Sequence, residues 1–305
     1  MKNSTKLRNL LSEGPVVAAT CYDALSARLA ELAGFKALHL TGFGTEATQI
    51  GAPDMGLISA GELAAHATRM VDAVQTPILS DADTGFGGAN NVARTIKMME
   101  RAGVAGVHIE DQAFPKRCPL LEGRVVVSRG EALGRVKAAV DARTDPDFVI
   151  VARSDSDVHS LDEVIERSNL FLEAGADMAM PSFLNVNGKD FRTLPPEEQM
   201  AIFRRLNNEI NGPVMTLGGD PPNGFTTHDM VKIGFAFIML AGPPVIAVAS
   251  ALSEVYAEML SQGTARGYFE RHPGPLADAV KVMKALHLDR YVEVDRQYLE
   301  RARAA

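Results

Sequence analysis

The sequence predicts an α/β protein whose eight βα units close into a (β/α)8 TIM barrel, and three observations carry that prediction. A phrase recurs in which a helix-like run ends in small residues and Gly before a short apolar strand: Leu29–Leu40, Met98–Asp111, Leu170–Pro181 and Met230–Leu240. Strands without the phrase fill the gaps between its copies, near Val16, Thr76, Asp147 and Gly212. Several strands are continuous apolar runs, as expected of a parallel sheet buried on both faces. A doubly wound open sheet is the runner-up, but no Gly-rich phosphate loop follows the first strand.

Taken in order, the strands start near residues 16, 37, 77, 105, 148, 177, 213 and 235, each followed by a helical pattern. Helix starts carry caps: Ser59, Ser128 and Ser160 each precede a periodic apolar run. Helix ends fall at Gly34, Gly103, Gly175 and Gly234, where a C-cap needs the left-handed conformation. The eighth helix covers about 245–262, and more helix continues to Ala305 after the break at His272–Pro275. One domain over 1–305 is expected, with 263–305 as a helical extension. Leu276, Val280, Met283 and Leu286 point to packing of that extension on a neighbouring subunit or along the barrel edge.

Composition narrows the function. A net charge of −7 with scattered Lys and Arg gives no reason to expect nucleic-acid binding. No apolar run is long enough to span a bilayer, and the first residues lack the apolar core of a signal peptide. The two cysteines, Cys21 and Cys118, lie far apart, which fits a reducing cytoplasm and excludes a site built from cysteine pairs. Cys21 reads as a small core residue.

The chemistry-bearing residues gather at predicted strand ends, where barrel sites lie. Asp81 and Asp83 follow the apolar pair Ile78-Leu79 at the strand period of two and so face one way. Glu110 and Asp111 arrive from the next strand. Carboxylates converging in this way call for a hard divalent cation held by oxygen, Mg²⁺ rather than Zn²⁺, with Mn²⁺ an acceptable substitute. Arg153 and the Gly-rich turns add positive charge and free N–H groups, an inventory suited to a small anionic carboxylate.

Three motifs, Asp81-Ala82-Asp83-Thr84-Gly85-Phe86-Gly87, Glu110-Asp111-Gln112 through Lys116-Arg117-Cys118, and Gly51-Ala52-Pro53-Asp54, resemble the isocitrate lyase/phosphoenolpyruvate mutase superfamily in order and spacing. The likeness is to its 2-methylisocitrate lyase-like branch. The resemblance implies Mg²⁺ held mainly through Asp83, with Asp81, Asp54 and Glu110 around it. It implies that the Thr41-Gly42-Phe43 turn holds a substrate carboxylate, with Asp54, Arg153, Ser182 and Thr216 among the substrate contacts. It places Lys116 and Cys118 on a mobile gating loop, Cys118 being the acid/base at the departing carboxylic acid. A thiol beside Lys116 and Arg117 is expected to favour its thiolate, against the bland reading of a loop thiol. The terminal helix is expected to swap between subunits, giving a homotetramer as a dimer of helix-swapped dimers.

The chain departs from the lyase pattern where substrate is read. Cys118 is followed by Pro119-Leu120 instead of Gly-His, Ser182 replaces an acid, and Thr216 stands in place of an Asn. His39 stands where a Tyr is common; it reads either as an acid/base facing the pocket beside Thr41 or as a satisfied core histidine. His108 is given no role. The leading expectation is a Mg²⁺-dependent carbon–carbon lyase acting on a 2-hydroxy di- or tricarboxylate, alkyl-substituted in the dimethylmalate manner. Alternatives are an oxaloacetate hydrolase or decarboxylase, an enzyme of P–C bonds, and a silent metabolite-binding member.

Overall fold

A computed structural model of the chain describes residues 1–304, with side chains to Leu299. Nine strands form among the described residues: β1 (Val16–Cys21), β2 (Ala37–Leu40), β3 (Ile78–Asp81), β4 (Gly106–Glu110), β5 (Val149–Ser154), β6 (Met178–Pro181), β7 (Asn185–Val186), β8 (Lys189–Asp190) and β9 (Phe237–Leu240). Seven of them build one curled parallel sheet in the order β6-β5-β4-β3-β2-β1-β9. The stretch Val214–Met215 bridges its two edges through the parallel pairs Ala179–Val214 and Met215–Phe237. The seventh predicted strand is thus present as two bridges instead of a full ladder. Pro213 lacks a donor, and Thr216 turns its hydroxyl back to accept from the Met239 N–H.

The predicted punctuation has the conformations its chemistry requires. Ser59, Ser128 and Ser160 each accept, at the side chain, from the backbone N–H three residues on. Each such cap is worth about 1 kcal/mol. Gly34, Gly103, Gly175 and Gly234 all have φ between +84° and +114°, a region that charges other residues strain. The short β7–β8 hairpin turns on Asn187-Gly188, both at positive φ, as a two-residue turn with that pair should.

Alternation along the strands sorts their side chains. Ile78, Val107, Ile109, Ile150 and Ala152 belong to one apolar cluster, together with helix residues such as Val92 and Ile96. Leu79, Val149 and Val151 belong to another. Continuing from these at period two brings Asp81 and Arg153 onto one side at the strand tips, with His108 and Glu110 likewise opposite to Val107 and Ile109.

The chain divides into two compact units, Met1–Pro243 and Pro244–Ala305. The eighth helix, Pro243–Gln262, therefore falls with the tail, ahead of the sequence-based boundary at 263. Within the second unit, Arg271 pairs with Glu254 and Glu258, tying the helix Arg266–Arg271 back to Pro243–Gln262. Its apolar residues Ile246, Leu260, Tyr291 and Val292 remain more than half exposed. No helix of the described residues is long and apolar enough to cross a membrane.

Candidate active site

The register of β3, β4 and β5 pairs Asp81 with His108 and Glu110 with Arg153 across adjacent strands. Side chains directly opposite lie close enough to interact, and they do. His108 Nδ1 stands 3.6 Å from Asp81 Oδ1, and Arg153 Nη1 lies 3.0 Å from Glu110 Oε2. Arg153 Nη2 also donates to Asp155 Oδ1 at 2.8 Å. Asp81 accepts from two backbone groups, Asp83 N–H at 2.9 Å and Gly42 N–H at 3.2 Å. A Cβ at Gly42 would sit 2.7 Å from Asp81 Oδ2, so only glycine lets that turn approach the acid. Asp83 itself lies past the end of β3 at Asp81 and holds φ at +48°, a left-handed turn, so strand alternation with Asp81 does not set its direction as expected.

Lys116 reaches into this group from the loop after β4. Its ammonium is almost fully buried and bridges Asp54, in a short contact, and Asp83 at 2.8 Å. Burial would lower its pKa, but Asp83, Glu110, Asp81 and Asp54 outweigh that and hold it charged. Burial pushes Asp83 up to about 7, partly offset by Lys116 and reinforced by Asp81. Burial likewise raises Glu110, against the pull of Arg153. Asp81 goes the other way: His108, Lys116 and Arg153 overcome burial and keep it below the usual carboxylate range.

His39 meets His108, Nε2 to Nε2 at 3.0 Å, with the rings stacked and nearly parallel. One nitrogen must donate and the other accept, so the two rings carry opposite tautomers at this contact. Burial, then the neighbouring ring, pushes His39 down to about 3; burial pushes His108 down to about 4 despite Asp81. Both are neutral. The sequence reading gave His108 no role, yet it stands between His39 and Asp81.

Cys118 is half-buried, and its N–H donates to the Asp54 carbonyl. Its environment corrects the expected thiolate. Burial, then the Asp54 charge, pushes the thiol up to about 11, more than Lys116 and Arg153 bring it down. Lys116 is committed to the acids, and Arg117 turns outward to the Glu122 carbonyl. Cys21 is buried in the core as expected. Ser182 is buried with Oγ 3.4 Å from Arg124, while Thr216 gives its Oγ1 to the β9 backbone. Thr41 precedes the helix Gly42–Gln49; the Thr41 N–H is spent on the Cys21 carbonyl and the Gly42 N–H on Asp81, which leaves the Phe43 N–H of the first turn for a carboxylate.

The chain's match to the phosphoenolpyruvate phosphomutase family model runs over residues 7–260. The chain belongs to that family. It is 35% identical over 275 residues to the 2,3-dimethylmalate lyase of Eubacterium barkeri, covering 88% of this chain and 90% of the relative. A solved oxaloacetate acetylhydrolase bound to 3,3-difluorooxalacetate superposes with a TM-score of 0.83 at 30% identity, over 97% of both chains. A phosphonopyruvate hydrolase complexed with oxalate and Mg²⁺ gives a TM-score of 0.83 at 26% identity, over 98% of this chain and all of the other. The expectation of an enzyme from the phosphoenolpyruvate mutase/isocitrate lyase superfamily stands.

A family metal can be tested against the residues present. Among the described residues no three acidic, His or Cys side chains form a ready-made metal cluster. Yet Glu110 Oε1 is buried without a hydrogen bond, while Asp83 Oδ1 and Glu110 Oε2 are met only by their ion-pair partners Lys116 and Arg153. Spare, desolvated carboxylate lone pairs of this kind are costly alone. They suit a hard cation that keeps part of its water shell. The residues fit such an ion.

Proposed function

We propose that this chain is a divalent-metal-dependent carbon–carbon lyase. It acts on a 2-hydroxy di- or tricarboxylate of the alkyl-substituted malate kind and yields an α-keto acid and a second carboxylic acid. The observation that carries the reading is the placement of Cys118, its N–H on the Asp54 carbonyl, on a loop that Lys116 anchors to the strand-tip acids, where burial favours the thiol over the thiolate. A thiol that keeps its proton is a donor in wait. As the bond next to the hydroxyl-bearing carbon breaks, the hydroxyl gives its proton to a strand-tip carboxylate and becomes the keto group, the electron pair stays on the departing fragment, and Cys118 supplies the proton that fragment needs. Arg153 binds the oxygen-rich core of the substrate, and the Thr41-Gly42-Phe43 turn takes a carboxylate at the Phe43 N–H, its Thr41 and Gly42 N–H groups being held by Cys21 and Asp81.

Asp83 and Glu110 would hold the ion, with Asp81 and Asp54 around it. Bound there, Mg²⁺ or Mn²⁺ would stabilise negative charge developing on a substrate oxygen. Ser182 and Thr216, hydroxyls where other members have an acid and an amide, favour a substrate with fewer polar groups than 2-methylisocitrate. His39 supports the site through His108 in this reading.

The reading extends to assembly and place: a cytoplasmic homotetramer in which the Pro244–Ala305 units swap between paired subunits. The exposed apolar residues of that unit support it, since covering them is favourable at about 25 cal/mol per Å². Sedimentation velocity of the full chain against one truncated after Gln262 tests the assembly.

The activity test is release of keto acid from malate, citrate and isocitrate derivatives with and without Mg²⁺, beside Cys118→Ser. Keto acid with a second acid product, abolished in the variant, supports the lyase. Consumption of oxaloacetate or phosphonopyruvate alone, unaffected by Cys118→Ser, would replace it with the hydrolase reading.

A further inference from the structure

We propose that Arg124 is a positioning residue that latches the Ala113–Val127 loop over the strand tips and couples the loop to Arg153 through a shared carboxylate oxygen. The kinetic part of this inference rests on the lyase reading of Cys118; the conformational part does not.

The loop is a hairpin closed at its stem. Ala113 N–H donates to Val125 O at 2.7 Å, Val127 N–H donates to Asp111 O at 2.9 Å, and Gln112 pairs with Val126 between them. Its tip lies largely in solvent, with Leu120 at 55% and Leu121 at 43% exposure. Two cations turn inward from this exposed hairpin. Lys116 goes to Asp54 and Asp83, beside β3. Arg124 goes to the far side, beyond β5, where its side chain is only 5% exposed.

There the guanidinium forks onto both oxygens of Asp157, at 2.7 and 3.2 Å, and also reaches Asp155 Oδ1 at 3.1 Å and Ser182 Oγ at 3.4 Å. Asp157 is held in turn by the Asn185 N–H at 2.9 Å. The Asp155 oxygen that Arg124 touches is the one that Arg153 Nη2 holds at 2.8 Å. Two arginines therefore share one buried acid, one from the gate and one from the site.

Burying a guanidinium is costly unless its partners are in place, and a bidentate fork tolerates little displacement. The loop is consequently held in the one position that keeps Arg124 on both acids. The stem bonds do not involve Arg124, so its loss frees the limb after Cys118 while the stem, Lys116 and the Cys118 N–H stay in place. Cys118 lies between the two anchors, and the closure of the loop around it depends on both.

The test is hydrogen exchange of the full chain, read by mass spectrometry, for wild type, Arg124→Gln, Arg124→Lys and Asp157→Asn. Arg124→Gln should speed exchange of the 120–124 amides about tenfold or more while the amides at 116–118 and in the barrel keep their rates. Arg124→Lys keeps the charge but not the fork and should fall between the two. Asp157→Asn should match Arg124→Gln, and the double variant should add little to either, as partners in one contact do. On any substrate found by the lyase panel, kcat should drop about tenfold with KM changed less than about threefold. Loop exchange within about twofold of wild type in Arg124→Gln would overturn the latch, as would loosening spread evenly over the barrel. If Arg124→Gln folds poorly, Arg124→Lys and Asp157→Asn carry the same comparison. A silent substrate panel with fast loop exchange would sink the lyase reading and leave the latch standing.

Discussion

The protonation of Cys118 gives the sharpest test of the site. With its pKa pushed up to about 11, the thiol is about 0.03% ionised at pH 7.5, against roughly one part in ten for an ordinary cysteine near 8.5. Alkylation by iodoacetamide proceeds through the thiolate, so Cys118 should react about 300-fold more slowly than a free cysteine at that pH. Its rate should climb about tenfold per pH unit through pH 10. Asp54→Asn removes the charge that adds to burial in raising the thiol, and should shift the profile to lower pH. Cys21, fully buried, serves as the unreactive control in the same digest. A rate that levels off below about pH 7 would refute the protonated donor and restore the thiolate expected from the neighbouring basic residues.

Other perturbations have equally definite outcomes. Arg153→Met leaves Glu110 without its ion-pair partner and should cost about 3–5 kcal/mol in urea unfolding, with Glu110→Gln added to it restoring part. Because Glu110 already has a raised folded pKa, that deficit should shrink as pH falls and Glu110 takes up its proton. His39→Phe strips His108 Nε2 of its partner and should cost about 1–3 kcal/mol in thermal unfolding, without removing any carboxylate. Gly42→Ala drives a methyl against Asp81 Oδ2, so Mn²⁺ binding followed by electron spin resonance should weaken while circular dichroism stays unchanged.

The barrel was legible because its signals are local. Ser caps, Gly C-caps and apolar strands depend on a few neighbouring residues, and each took the predicted conformation. The seventh strand was placed correctly but reduced to two bridges, since pairing depends on both neighbouring strands and not on the run itself. At the site, the period-two argument holds for Asp81 but not for Asp83: β3 ends at Asp81 and a left-handed turn at φ +48° places Asp83, which Lys116 then ties into the group. Proximity in sequence misled for Cys118: the adjacent cations spend their charge elsewhere, one inward and one outward. His108 and Arg124 were passed over because their partners, His39 and Asp157, lie 69 and 33 residues away. Only strand register or loop closure brings such pairs together.

Asp83 sits at φ +48°, a conformation open to Gly, Asn and Asp and closed in practice to most other side chains. The usual alanine scan would therefore mix two injuries at this position, a missing carboxylate and a forced backbone. The Glu110 N–H that donates to the Asp83 carbonyl at 2.8 Å would feel the second even if the first were harmless. Asparagine keeps the turn and removes the charge; glycine keeps the turn and removes the side chain. Only those two replacements separate what the acid does from what its bend does for the neighbouring strand.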